Sequence, residues 1–186
     1  MLAQKRLGGG RIHHAMRMIG QCNRAFEMMR ERAVSRYTRG KPLASQQLVQ
    51  AMIAESYAEI EMARLFVLKA AWTMDNAGPH SKESQKEIAA AKFAIPNIML
   101  KVIDRAIQLH GSLGYSSDMP LERMYRTGRA LRVADGADEV HKQSVSRLIL
   151  ADEPIIDGSP SEFIPDRLAY ARELYGARLA EVLADD

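Results

Sequence analysis

The sequence predicts an all-α protein, an up-and-down four-helix bundle with an extra C-terminal helix. Three observations predict it. Apolar residues recur every three or four positions through three long runs, the spacing that lines one face of a helix. No run alternates apolar with polar residues as a half-buried strand does. Clusters of Gly and Pro fall between the periodic runs and punctuate them, with Pro96 the exception.

The first run carries Ile12, Ala15, Met16, Ile19, Cys22, Phe26, Met29 and Ala33, and predicts a long helix starting after Gly8-Gly9-Gly10. Arg39, Gly40, Lys41 and Pro42 interrupt it. Val49, Met52, Ile53, Ile60, Ala63 and Val67 then mark a second long helix, ending near Asn76, Gly78 and Pro79. In the third, Ser84 and Glu87 have capping-box spacing, and Ile88, Ala91, Ile95, Ile98, Val102 and Leu109 carry the stripe to Gly111 and Gly114. Pro96 inside it predicts a kink. Shorter helices are expected from about Leu121 to Val133 and from about Asp138 to Leu150. Three long helices on short connections must bury their stripes on one another, and the helix after Asp135 completes the bundle. Residues 1–152 form this bundle; 153–186 are read as a linker broken by Pro154, Gly158, Pro160 and Pro165, then a helix from about Asp166 to Ala184.

Composition limits what such a bundle does. In 186 residues, 47% are apolar and 26 basic side chains face 23 acidic ones, a net charge of +3 with no basic block. Nucleic acid is therefore not an expected partner. The lone cysteine, Cys22, lies on the apolar stripe, so no internal disulfide can form and its thiol is expected to be buried and inert. No apolar run approaches a membrane span and the N-terminus lacks the apolar core of a signal peptide, so a cytoplasmic location is expected. His13 and His14 are adjacent, with no carboxylate or Cys to complete a ligand set, and no metal is expected. The methionines are expected in the core. Arg123, Arg126, Arg129 and Arg132 recur every three residues as a basic strip.

Two motifs go further. Residues 106 to 139 hold Gln108, Gly111, Ser112, Gly114 and Tyr115, then Pro120, Arg123 and Arg126, then Ala134, Asp135, Gly136 and Ala137. Earlier come Arg36, Thr38, Arg39, Gly40, Leu43 and Gln47. Together they resemble the acyl-CoA dehydrogenases, which have a glycine loop, a Pro-x-x-Arg-x-x-Arg segment and a Tyr-Glu-Gly-Thr catalytic turn. Leu7, Gly8, Gly10, Arg11, Ile12, His13 and His14, with Asp135, Gly136, Asp138, Glu139, Val140 and His141, are similar to the subgroup carrying Asp-Gly-x-Asp-Glu-Val-His at that turn.

The resemblance covers about residues 7 to 152 and implies the C-terminal helical domain of a three-domain, FAD-dependent enzyme of fatty acid metabolism. The N-terminal and β-domains are not in this sequence, and a separate chain could supply them. It also implies an acyl-CoA substrate, Asp135 as catalytic base, and Arg11 with Gly136 beside the thioester. Cofactor contacts fall to Arg36, Thr38, Gln47, Gln108, Gly111, Ser112 and Glu139, with Arg36 serving a neighbouring subunit's FAD pyrophosphate. A homodimer or homotetramer and electron-transfer flavoprotein are the implied partners. Asp stands where the family has Glu, about 1.5 Å shorter in reach. The following helix N-terminus would favour the carboxylate and a dry cavity the neutral acid. Some members place the base one residue before the Arg matching Arg11; here that residue is Gly10. The alternative is a non-catalytic helical oligomerisation module.

Overall fold

The computed structural model describes residues 2–154 and 167–184. The chain divides after Ala151 into two compact units. The first contains helices α1 (Leu2–Ser35), α2 (Gln47–Ala77), α3 (Lys82–His110), α4 (Ser112–Tyr115), α5 (Leu121–Leu131) and α6 (Asp138–Leu150). Helix α7 (Arg167–Ala184) belongs to the second, with Tyr170, Leu174 and Tyr175 exposed. The expected linker falls largely on 155–166, outside the described residues.

Helix α3 is central, packing on α1, α2, α5 and α6. Its composition explains this, since Ile88, Ala91, Ile95, Met99, Val102, Ile103 and Ala106 are all buried. They face Ile12, Ala15, Met18, Cys22, Ala25 and Met29 of α1, and Ile60, Ala63, Val67 and Ala70 of α2, in one cluster. Polar ties hold the rim: Arg105 of α3 binds Glu55 and Glu59 of α2 at 2.8 and 2.6 Å, and Lys69 of α2 reaches Glu87 at 3.0 Å. Gly128 lets α5 lie close on α3, because a Cβ there would stand 3.2 Å from Leu100. Burial pushes the Cys22 thiol up to about 12, consistent with an inert group.

Four details differ from the sequence expectation. Helix α1 runs through Gly8-Gly9-Gly10 from Leu2, because helix propensity is a weak prior that neighbouring structure overrides. On its apolar stripe Met18 is buried and Met16 exposed, so Met16, like Met62 of α2, is not a core methionine. The α3 cap is Ser81, whose Oγ accepts the Ser84 N–H at 3.1 Å, while Ser84 is itself buried and donates to the Gly78 carbonyl at 2.7 Å. Finally, a small antiparallel ladder exists, β1 (Tyr37–Thr38) with β2 (Lys41–Pro42). Arg39 and Gly40 at its tip have φ of 49° and 78°, the two positive values a type I′ hairpin turn requires. Two residues a strand are too few for alternation to show. Helix α3 continues through Pro96, which is buried.

Candidate active site

The connection between α5 and α6 carries Asp135 at φ 56° and Gly136 at φ 107°. Both are left-handed; Asp tolerates that region better than most residues, and Gly136 needs it. A Cβ on Gly136 would also sit 2.7 Å from His141 Nε2, so space as well as torsion selects glycine.

Three helices hold this turn. From α1, Arg11 donates Nε and Nη2 to the Asp135 carbonyl at 3.3 and 3.0 Å, and one turn further His14 Nε2 lies 3.4 Å from Asp135 Oδ2. From α3, the buried Lys92 donates Nζ to the carbonyls of Leu131 at 2.7 Å and Gly136 at 3.2 Å. From α6, buried His141 places Nε2 3.2 Å from the same Asp135 carbonyl. Beneath the turn, Asp138 Oδ2 accepts from Arg132 Nε at 2.7 Å and Asn97 Nδ2 at 3.1 Å. The Arg strip is thereby divided: Arg132 is spent on Asp138 and Arg126 on Glu122, leaving Arg123 and Arg129 at the surface.

The electrostatics follow from burial. Desolvation lowers the proton affinity of Lys92 and Arg11, against the pull of nearby carboxylates. It lowers His141 as well, whose neighbours Arg11 and Lys92 add to the effect. Asp138 is shifted the other way in charge terms: burial opposes its ionisation, but the hydrogen bonds from Arg132 and Asn97 outweigh that and hold its carboxyl below the usual range. The Asp135 side chain, 30% exposed, thus stands at the edge of the layer formed by Arg11, Lys92 and His141, open on one side.

The sequence-predicted residues fall into two groups. Arg11, Asp135 and Gly136 meet in the turn just described, and Glu139 is exposed on the first turn of α6 beside it. The others lie at the far end. A Cβ on Gly8 would meet Ile88 at 3.9 Å, so α1 and α3 start together, and Arg36, just past the end of α1, lies about 38 Å along its axis from Arg11 at 1.5 Å per residue. Arg36, Thr38 and Gln47 sit around the hairpin, and Gln108, Gly111 and Ser112 at the end of α3, about 24 Å along it from Lys92. All six are exposed. At Gly111, φ 66° with open space where a Cβ would be suits close backbone approach by another molecule. Gly114 is different, since a Cβ there would strike the Ile107 carbonyl at 2.7 Å. Its reason is packing.

An exposed guanidinium fork and an open glycine backbone fit the phosphate-bearing half of FAD. His14 and Lys92 were missed as site residues because their partners are distant in sequence, 121 positions for His14 and 39 and 44 for Lys92; His141 lies only six residues from Asp135, in the same motif, but was given no role. The only available signal was that His14 follows Arg11 by one helical turn. Among the described residues, no group of three His, Cys, Asp or Glu could hold a metal, and no helix is long and apolar enough to cross a membrane.

This bundle, with an acidic left-handed turn fixed on its central helix, defines a class: the helical C-terminal domain of flavin-linked acyl-thioester dehydrogenases. The family model "Acyl-CoA dehydrogenase, C-terminal domain" matches residues 1–150, and the chain belongs to the acyl-CoA dehydrogenase family. It is 49% identical over 152 residues to the probable acyl-CoA dehydrogenase FadE2 of Mycobacterium tuberculosis, covering 82% of this chain and 37% of that one. Acyl-CoA dehydrogenase family member 10 of Mus musculus is 50% identical over 152 residues, 82% of this chain and 14% of the mouse protein. Among solved structures, butyryl-CoA dehydrogenase of Megasphaera elsdenii superposes with a TM-score of 0.72 at 29% identity, covering 77% of this chain and 37% of that one. An Acidaminococcus fermentans structure whose subject is an electron transferring flavoprotein superposes equally, TM-score 0.72 at 29% identity, over 78% and 37% of the two chains. The matched part of the chain therefore spans between 14% and 37% of the length of these relatives.

Proposed function

We propose that this chain supplies the base and part of the cofactor site of an FAD-dependent acyl-CoA dehydrogenase that introduces an α,β double bond into an acyl-CoA thioester. The observation carrying it is the fixing of Asp135 by Arg11, Lys92 (through Gly136) and His141, from three helices. Such convergence on a strained backbone is characteristic of functional sites. Asp135 takes the proton from the carbon beside the thioester carbonyl, and Arg11 and Gly136 face that end of the substrate. FAD, when bound, supplies the acceptor for the hydride leaving the adjacent carbon.

Arg36, Thr38, Gln47, Gln108, Gly111 and Ser112 would hold the dinucleotide half, Arg36 that of a partner subunit, and Glu139 would approach the flavin. A homodimer or homotetramer follows from that division. Electron-transferring flavoprotein is the proposed acceptor of the electrons, the N-terminal and β-domains complete the pocket, and the cytoplasm is the proposed location. The bundle at 1–152 is proposed as the working domain, with 153–186 an extension.

In the FAD-loaded protein completed by those domains, Asp135→Asn lowers the rate of flavin reduction by acyl-CoA about 10²- to 10⁴-fold. An unchanged rate refutes the assignment. A second proposal, a non-catalytic oligomerisation module, is favoured by the apolar outer face of α2, where Leu48 and Trp72 are 79% and 66% exposed. A colourless oligomer after complementation with the missing domains and FAD would select it.

A further inference from the structure

We propose that His14 is a positioning residue for the Asp135 carboxylate. This role rests on Asp135 being the base. The backbone of Asp135 is already immobilised, with its carbonyl taken by Arg11 Nε and Nη2 at 3.3 and 3.0 Å and approached by His141 Nε2 at 3.2 Å. What stays free is the side chain, which has two torsions and one oxygen within reach of a neighbour. That neighbour is His14, with Nε2 3.4 Å from Oδ2 and both side chains 30% exposed. Among the described residues no other side chain forms a hydrogen bond or ion pair with this carboxylate, although Arg11 and Lys92 lie near enough to feel its charge.

The separation is long for a hydrogen bond, as contacts in unliganded active sites often are before substrate closes them. An Nε2–H donated to Oδ2 selects one orientation of the carboxyl plane and leaves the second oxygen for the proton of the substrate. Geometry gives His14 this task economically. Arg11 and His14 are three residues apart on one face of α1, so the helix that fixes the carbonyl also fixes the carboxylate. Orientation matters more for Asp than for Glu here, because the shorter side chain has less slack to find the substrate.

The adjacent His13 is the control. It is exposed, its ring centroid lies 6.3 Å from that of His14, and it makes no contact with Asp135. Two measurements test the role. In the 186-residue chain, imidazole nitrogen NMR with His14 assigned through His14→Gln is expected to show the His14 signals moving in Asp135→Asn while those of His13 stay. In the complete FAD-loaded protein, His14→Gln is expected to lower kcat about 10- to 100-fold with KM unchanged, and His13→Gln to change neither. His14 signals that ignore Asp135→Asn overturn the proposal. So does a His14→Gln enzyme with full kcat beside an inactive Asp135→Asn enzyme, and in that case the base assignment stands. Full activity in Asp135→Asn removes the base assignment and the positioning role with it.

Discussion

Gly136 is the residue whose replacement separates backbone from chemistry. At φ 107°, with a Cβ directed onto His141 Nε2 at 2.7 Å, Gly136→Ala meets torsional strain and a clash together. The cost expected is about 2 kcal/mol or more, read as a lower urea midpoint at unchanged slope. Asp135→Asn at φ 56° costs little, since Asn also accepts the left-handed region, so it isolates the carboxylate. His141 adds a pH signature. Burial, the largest cause, lowers its proton affinity below the ordinary 6.5, so on acidification the unfolded chain binds a proton before the folded one. Its contribution is therefore complete above pH 6.5 and declines as pH falls from there through the folded value. Urea midpoints measured across that window should fall with pH, and less steeply in His141→Gln. Asp138, held below its ordinary 3.8, adds its own loss only at more acid pH. Asp135 and Gly136 were legible in the sequence because a local motif contains both. Lys92 and His14 were not, since a lysine on an apolar stripe or a histidine on a helix declares nothing until another helix brings its partner; His141 stood in the motif, but only the fold shows its ring turned back onto the Asp135 carbonyl.

At the scale of elements, the cap of α3 shows how local patterns mislead. Ser84 and Glu87 have the spacing of a capping box, yet the serine three residues earlier accepts the orphan amide, and Ser84 is buried. Ser81→Ala should cost about 1 kcal/mol through the lost cap. Ser84→Ala should cost a similar amount by a different route, removing the Oγ that donates to the Gly78 carbonyl at 2.7 Å and accepts from Ser81 Oγ at 3.0 Å, and leaving that carbonyl only the longer 3.2 Å bond from the Ser81 N–H. Thermal melts of both variants decide this; an unchanged midpoint in Ser81→Ala would return the cap to Ser84. The long helices were legible because a stripe of six to eight apolar positions over about five or six turns leaves little alternative to a helix. Their ends were less so, since α1 begins at Leu2 despite three consecutive glycines and the hairpin at 37–42 is too short to carry a pattern. The two positive φ values at Arg39 and Gly40 depend on turn geometry, to which Gly40 alone pointed.

At the scale of the first compact unit, α2 is apolar on two sides. Val49, Ile60, Ala63, Val67 and Ala70 enter the core, while Met62, Leu65, Leu68 and Trp72 recur every three or four residues on the surface and Leu48 is exposed at the start of the helix. A helix apolar all round is normally covered on all sides, and so extended an apolar stripe on a surface marks an interaction face. In the proposed oligomer this face is occupied by a second subunit, which also accounts for the wide separation of Arg36 from Asp135: a cofactor held at the far end of one chain would meet the base of another. Trp72, the largest exposed apolar side chain on α2, is the expected anchor, and large aromatic residues carry disproportionate binding energy at such centres. Trp72→Ala should raise the subunit dissociation constant about tenfold or more, and Leu65→Lys, which sets a charge in an apolar contact, should dissociate the assembly outright. Sedimentation velocity over a concentration series reads both. Because the substitutions lie on the outer face of α2, the helix content and the urea midpoint of the dissociated subunit should stay near those of the parent. An assembly that persists unchanged in Leu65→Lys would place the contact on a different helix and leave the α2 face for the missing domains.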